Sequence, residues 1–143
     1  MEKLLISACL LGVSCRYDGK SKPIENIGKL MEKYELVPVC AEVFGGLPTP
    51  RVPAEIIDGK VFTAEGKDVT AEYIKGADEV LRLGKIFGAK KALLKERSPS
   101  CGSGIIHNGK FDGGLVPGFG KTTALLLENG FEVFGETEIE KLL

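Results

Sequence analysis

The sequence predicts an α/β fold: a mainly parallel, Rossmann-like or flavodoxin-like sheet of about four strands, flanked by helices and carrying small β-hairpin insertions. Short apolar runs near Leu4, Leu36, Lys91 and Phe131 have the nearly unbroken hydrophobicity of strands buried on both faces. They alternate with segments of helical periodicity, the pattern of a parallel sheet covered by helices. Two further pairs of short runs meet around Asp58-Gly59 and Asn108-Gly109, dipeptides suited to tight hairpin turns. The 143 residues are expected to form one domain, residues 1–143, since domains run to roughly 100–200 residues.

In chain order, Leu4 to Cys9 reads as the first strand, leading into a Gly-rich segment. Pro23 is placed to open a helix in which Ile24, Ile27, Leu30 and Met31 recur at helical spacing up to Tyr34. Leu36 to Cys40 forms the second strand. The runs Ala54–Ile57 and Lys60–Thr63 flank Asp58-Gly59 as a hairpin. A helix capped by Asp68 or Thr70 runs to Phe87, with Ile74, Ala77, Val80, Leu81 and Ile86 as its apolar stripe and Gly88 as its stop. Lys91 to Lys95 is the third strand, and the second hairpin follows. Thr122 to Leu127 forms a helix that stops at Asn129-Gly130, Phe131 to Phe134 is the fourth strand, and a short acidic helix ends the chain.

Hydrophobic residues make up 43% and charged residues 27%, which excludes disorder and fibrous repeats. Lys and Arg (19) balance Asp and Glu (20), so no global field draws the chain to nucleic acid or to anionic lipid. No apolar run approaches the ~18–20 residues that span a bilayer, and the N-terminal segment lacks a secretory pattern, so a cytoplasmic location is expected.

The four cysteines stand at 9, 15, 40 and 101. Cys9 and Cys40 close the first two predicted strands, and Cys101 lies in the loop beyond the third. The carboxyl ends of parallel strands share one edge of a sheet, where ligands bind, so three thiols far apart in sequence are expected to converge. Cys15, six residues beyond Cys9, is a fourth ligand or a neighbouring thiol. Structural zinc sites use Cys pairs two to four residues apart, and none exists here. Iron–sulfur clusters take dispersed thiolates, and a cubane held by three leaves one iron open as a soft Lewis acid. Burial as small core hydrophobes is the alternative for each Cys.

Glu42 falls in the same predicted cleft as a general base, the alternative being a surface carboxylate. Ser98 and Ser100 precede Cys101 and supply either turn chemistry or contacts to a polar heterocycle. His107, the single histidine, reads as a hairpin residue, and Lys90, Lys91, Lys95 and Arg97 as a solvated basic cluster, the alternative being a seat for a phosphate of a nucleotide or an RNA backbone. Gly118-Phe-Gly-Lys-Thr-Thr resembles the end of a phosphate-binding loop, but its first glycine would have to stand at 115, which is Leu. Thr122 and Thr123 are therefore read as helix-start residues.

Ser7-Ala-Cys-Leu-Leu-Gly, Cys15-Arg-Tyr-Asp-Gly, the segment Pro38-Val-Cys-Ala-Glu through Leu-Pro-Thr-Pro-Arg51, and Lys95-Glu-Arg-Ser-Pro-Ser-Cys-Gly102 together resemble the thiouracil desulfurase (TudS) family, over essentially the whole chain. The resemblance implies a 4Fe–4S enzyme that removes sulfur from thiolated uracil without net redox change. Carried onto this sequence, Cys9, Cys40 and Cys101 would hold the cluster, with Cys15 beside it or as an alternative ligand. Glu42 and Ser100 would handle protons and position the substrate, with Ser98 in reserve. Ala41 stands where the family often has Pro, which loosens a turn without removing a reacting group. Longer relatives carry a second domain and act on transfer RNA, so here the expected partner is a free thiouracil base or nucleotide, with no nucleic acid and no membrane. In the mechanism this implies, the open iron captures the thiocarbonyl sulfur, and water activated by Glu42 replaces it. The competing readings are an iron–sulfur or sulfide carrier, which has no need of Glu42, a zinc-stabilised binding module and a nucleotide hydrolase.

Overall fold

Leu4, Leu5 and Ile6 are consecutive and all fully buried, which a strand permits only when both faces of its sheet are covered. In the computed structural model, which describes residues 1–143, they belong to β1 (Glu2–Ser7). There follow a 3₁₀ turn over Ala8–Leu11, α1 (Ile27–Lys33), β2 (Tyr34–Val39), α2 (Ala41–Phe44), β3 (Ala54–Ile57), β4 (Lys60–Thr63), α3 (Thr70–Phe87) and β5 (Lys91–Leu94). The chain ends with β6 (Ser103–His107), β7 (Leu115–Phe119), α4 (Lys121–Glu128), β8 (Glu132–Gly135) and a 3₁₀ segment over Glu136–Lys141.

The main sheet has the order β2-β1-β5-β8, with every pair parallel, as the sequence predicts. Leu4, Ile6 and Leu93 pack on one face against Leu30 of α1 and Leu142; Leu5, Ala92 and Leu94 pack on the other against Val80 of α3 and Leu126 of α4. The chain runs outward from β1 to β2 and then returns to the other side of β1. The strand order therefore reverses between β1 and β5, and a crevice opens at their carboxyl ends. The remaining strands form two antiparallel hairpins, β3-β4 and β6-β7. Asp58 and Gly59 both take positive φ (50° and 79°), the geometry that a two-residue type I′ connection requires.

Several elements depart from the sequence expectation. β1 ends at Ser7, so Cys9 sits in the following 3₁₀ turn. β2 starts two residues early and leaves Cys40 outside it, at the N-terminus of α2. Pro23 does not open a helix; α1 starts at Ile27 after a left-handed Asn26 (φ 66°), while Ile24 packs on the core from the preceding loop. The second hairpin is closed by a seven-residue loop, residues 108–114, and the last helix is 3₁₀. The buried stripe of α3 is Tyr73, Gly76, Ala77, Val80 and Gly84, whereas Ile74 and Ile86 are 50% and 66% exposed. Two of the stripe's five positions are glycines, so a reading of apolar side chains drifts about one residue, or 100°, around the helix. At Gly76 a Cβ would meet the Ala41 carbonyl oxygen at 1.9 Å. That close approach lets α2, which carries Glu42, rest on α3.

Burial predicts unequal costs. Leu5→Ala is expected to lower stability by about 2–5 kcal/mol, and Ile74→Ala, on the exposed side of α3, by about 0.5 kcal/mol or less; urea unfolding monitored by circular dichroism compares them. No helix is long and apolar enough to cross a membrane.

Candidate functional site: a thiol-lined crevice

The crevice at the β1/β5 switch point holds a cavity of about 410 Å³. Cys9, Cys15, Cys40 and Cys101 all line it, as do Glu42, Ser98 and Ser100, so the residues that the resemblance assigns to the site lie at one place; Lys90, Lys91, Thr122 and Thr123 do not line it.

Each thiol has its own anchor. The Cys9 carbonyl oxygen accepts the N–H groups of Gly12 (3.2 Å) and Lys22 (2.9 Å), which fold the loop after β1 back on itself. Ser7 joins the two central strands: its Oγ accepts the Lys95 N–H at 2.9 Å and faces Cys101 Sγ at 3.8 Å. The Cys15 carbonyl accepts Arg51 Nη2–H at 2.9 Å and lies 3.9 Å from Cys40 Sγ. Cys101 donates its N–H to Ser98 Oγ at 2.7 Å, and its carbonyl accepts Thr123 Oγ1–H at 2.9 Å.

The run that resembles a phosphate loop fixes the Cys101 loop. The first amides of α4 are donated to the loop's carbonyls: Gly120 N–H to Gly102 (2.8 Å), Lys121 N–H to Pro99 (2.8 Å) and Thr122 N–H to Ser100 (2.8 Å). A Cβ on Gly120 would lie 2.5 Å from the Ser100 carbonyl carbon, so glycine is needed for this contact. The amides that would cradle a phosphate already have protein acceptors, and Lys121 Nζ is bonded to the Gly59 carbonyl. Thr122 and Thr123 are buried in this helix start, as the sequence reading expects.

Burial, followed by the other three thiols, pushes the Cys9 thiol up to about 12. Burial and Cys40 raise Cys15 to about 11, and burial raises Cys101 to about 11. Thiolates gathered here disfavour one another until something positive sits among them. No three His, Cys, Asp or Glu side chains come close enough to hold one metal ion. The thiols border a wider space, which suits a multinuclear thiolate-bound group better than a single ion.

Beside the thiols runs a connected polar chain. Glu42 is anchored at both oxygens: Oε1 accepts Arg51 Nε–H at 3.0 Å and Oε2 accepts Ser100 O–H at 2.8 Å. Ser100 Oγ is 3.2 Å from Ser98 Oγ and 3.5 Å from Cys101 Sγ, so proton-bearing groups link Glu42 to the edge of the thiol set. Arg51 also donates to the Pro48 carbonyl and to Thr49 Oγ1, which holds its guanidinium rigid.

Sequence reasoning missed part of this site. Arg51 closes one of the quoted motifs, but nothing in its spacing showed that it clamps Glu42 to the Cys15 loop. Tyr73, in the middle of α3, is buried at the cavity wall, where burial and then Glu42 push its hydroxyl well above the ordinary range. Its helical phase beside Ala77 and Val80 was the available signal. Lys95 lines the cavity and pairs with Glu136 at 2.8 Å, so the basic cluster is not simply a solvated face. His107 ends β6 as expected and also borders the cavity, with Nδ1 buried and unpartnered.

A doubly covered parallel sheet with a thiol-lined crevice at its switch point, flanked by a carboxylate and hydroxyls, defines the class of α/β proteins whose crevice can hold a thiolate-bound group. Residues 4–138 match the family model for 2-thiouracil desulfurase, and the chain belongs to that family. A solved structure described as the [4Fe-4S]-dependent thiouracil desulfidase TudS is 50% identical, with a TM-score of 0.95 over 99% of this chain and 95% of that one. The uncharacterized protein YbbK of Bacillus subtilis (strain 168) is 44% identical over 150 residues, covering 98% of this chain and 99% of YbbK. The resemblance read from the sequence motifs is borne out.

Proposed function

We propose that this protein desulfurates thiolated uracil, as free base or nucleotide, with a 4Fe–4S cluster held by Cys9, Cys40 and Cys101, and that oxygen from water replaces the sulfur. The observation that most supports the reading is the Arg51–Glu42–Ser100 chain, which ends 3.5 Å from Cys101 Sγ and whose groups suit proton transfer beside the thiols. The cluster, when bound, supplies an open, soft Lewis-acidic iron for the thiocarbonyl sulfur. Cys15, next to Cys40, stands beside the three ligands or serves as an alternative to one of them.

Glu42 Oε2 takes a proton from the water that adds to the ring carbon bearing sulfur. Arg51 holds the other carboxylate oxygen, so the reacting one keeps its aim. Ser100 donates to Glu42 and positions the substrate, while Ser98 braces Ser100 and the Cys101 amide. Low exposure of this chain limits competing water to what the site admits.

Turnover of 4-thiouracil in water enriched in heavy oxygen tests the reading. The expected uracil carries one oxygen from solvent, and one sulfide is released per turnover. A sulfide or cluster carrier, which has no use for the Glu42–Ser100 arrangement, forms no uracil. Product without solvent oxygen contradicts the water step.

A further inference from the structure

Glu55, on β3, is a carboxylate only 7% exposed that borders the same cavity. Its Oε1 accepts two backbone N–H groups of the 108–114 loop, those of Gly109 at 2.9 Å and Phe111 at 3.2 Å, and so ties one hairpin to the other. Both donors go to Oε1. Oε2 receives none, and Glu55 takes part in none of the six ion pairs. Oε2 is not among the buried atoms that lack a partner, so this oxygen of an otherwise buried residue stays reachable and free to accept a hydrogen bond from a bound molecule. Two residues before Gly109, His107 also lines the cavity, and its Nδ1 is buried without a partner. Neither group takes part in the proton chain around Glu42.

We infer that Glu55 is a specificity residue whose Oε2 accepts a hydrogen bond from an N–H or O–H donor on the substrate, away from the reacting sulfur. The inference rests on the desulfurase reading and names what that site recognises. Three parts of a thiolated uracil compound present such a donor: the ring N3–H, shared by base and nucleotide, the ring N1–H, present only in the free base, and a ribose hydroxyl, present only in nucleosides and nucleotides.

Glu55→Gln separates recognition from loop anchoring. The amide oxygen must face the two backbone N–H groups, which turns the amide N–H₂ toward the cavity and converts an acceptor into a donor while keeping the loop bonds. In the cluster-loaded enzyme, E55Q is expected to keep its thermal midpoint and iron content and to raise KM about tenfold, with a much smaller change in kcat. Three substrates locate the donor: 4-thiouracil, 4-thiouridine monophosphate and its 2′,3′-dideoxy analogue. A KM rise with all three assigns the ring N3–H, a rise with 4-thiouracil alone assigns N1–H, and a rise with the ribonucleotide alone assigns a ribose hydroxyl. Wild-type KM on every substrate, with Glu55→Ala impaired only in stability, overturns the inference and leaves the desulfurase reading standing. Wild-type enzyme inactive on all three overturns both. Should E55Q retain less iron, calorimetric binding of uracil and uridine monophosphate to the cluster-free proteins decides: binding about tenfold weaker in E55Q supports the inference, and equal binding overturns it.

Discussion

Alanine in place of Cys9, Cys40 or Cys101 is expected to strip the protein of its cluster and to lower turnover of 4-thiouracil by about a thousandfold or more, the loss of a Lewis acid that contributes several kcal/mol to the barrier. The fold is expected to survive, because these thiols line a cavity and the strands are held by Leu4, Leu5, Ile6 and Leu93. Iron and labile-sulfide analysis after anaerobic reconstitution, together with circular dichroism, reads both effects. Cys15→Ala is the informative comparison. Its backbone carbonyl, not its thiol, accepts from Arg51 and Cys40, so removing the side chain leaves that brace intact. Retained cluster with lowered activity makes Cys15 a neighbour of the ligands. Loss of cluster with Cys15→Ala, and retention with one of the other three variants, redraws the ligand set.

Glu42→Gln is expected to lower kcat about 10²- to 10⁴-fold with cluster content unchanged, the range that a positioned general base contributes. The amide keeps the size of the carboxylate and a hydrogen bond to Arg51 or Ser100, so the fold around α2 holds while the proton acceptor is lost. Cluster content and single-turnover product formation check this together. Full turnover in a cluster-loaded E42Q protein rules out Glu42 as the base and moves attention to Ser100, which sits between Glu42 and Cys101.

The sheet was legible because Leu4–Ile6 and Ala92–Leu94 carry the unbroken apolar signature that only a doubly covered strand needs. Convergence of Cys9, Cys40 and Cys101 followed from parallel topology alone: carboxyl ends share an edge whatever the side chains do. Exact element ends were less legible. Cys9 and Cys40 fall just past their strands because a 3₁₀ turn and the four-residue α2 begin there, and elements so short leave little periodic signal. The buried face of α3 was misphased because Gly76 and Gly84 occupy positions where a hydrophobic count expects large side chains. Glu55, and Arg51 in its bond to the Cys15 carbonyl, reach the site through contacts between segments distant in sequence, which neither spacing nor composition encodes, whereas Tyr73 was marked only by its helical phase. The run Gly120-Lys-Thr-Thr turned out to support Cys101: its helix amides point at carbonyls of residues 99–102, a pairing visible only once the two segments lie side by side.

The most direct test of a cluster-dependent desulfurase is to reconstitute the protein with iron and sulfide under anaerobic conditions and follow 4-thiouracil and its nucleotide. Bound 4Fe–4S cluster, with conversion of either compound to its oxo form and release of sulfide, is the predicted result. A protein that carries the cluster and leaves both compounds unchanged, or that takes up zinc and no iron, contradicts it.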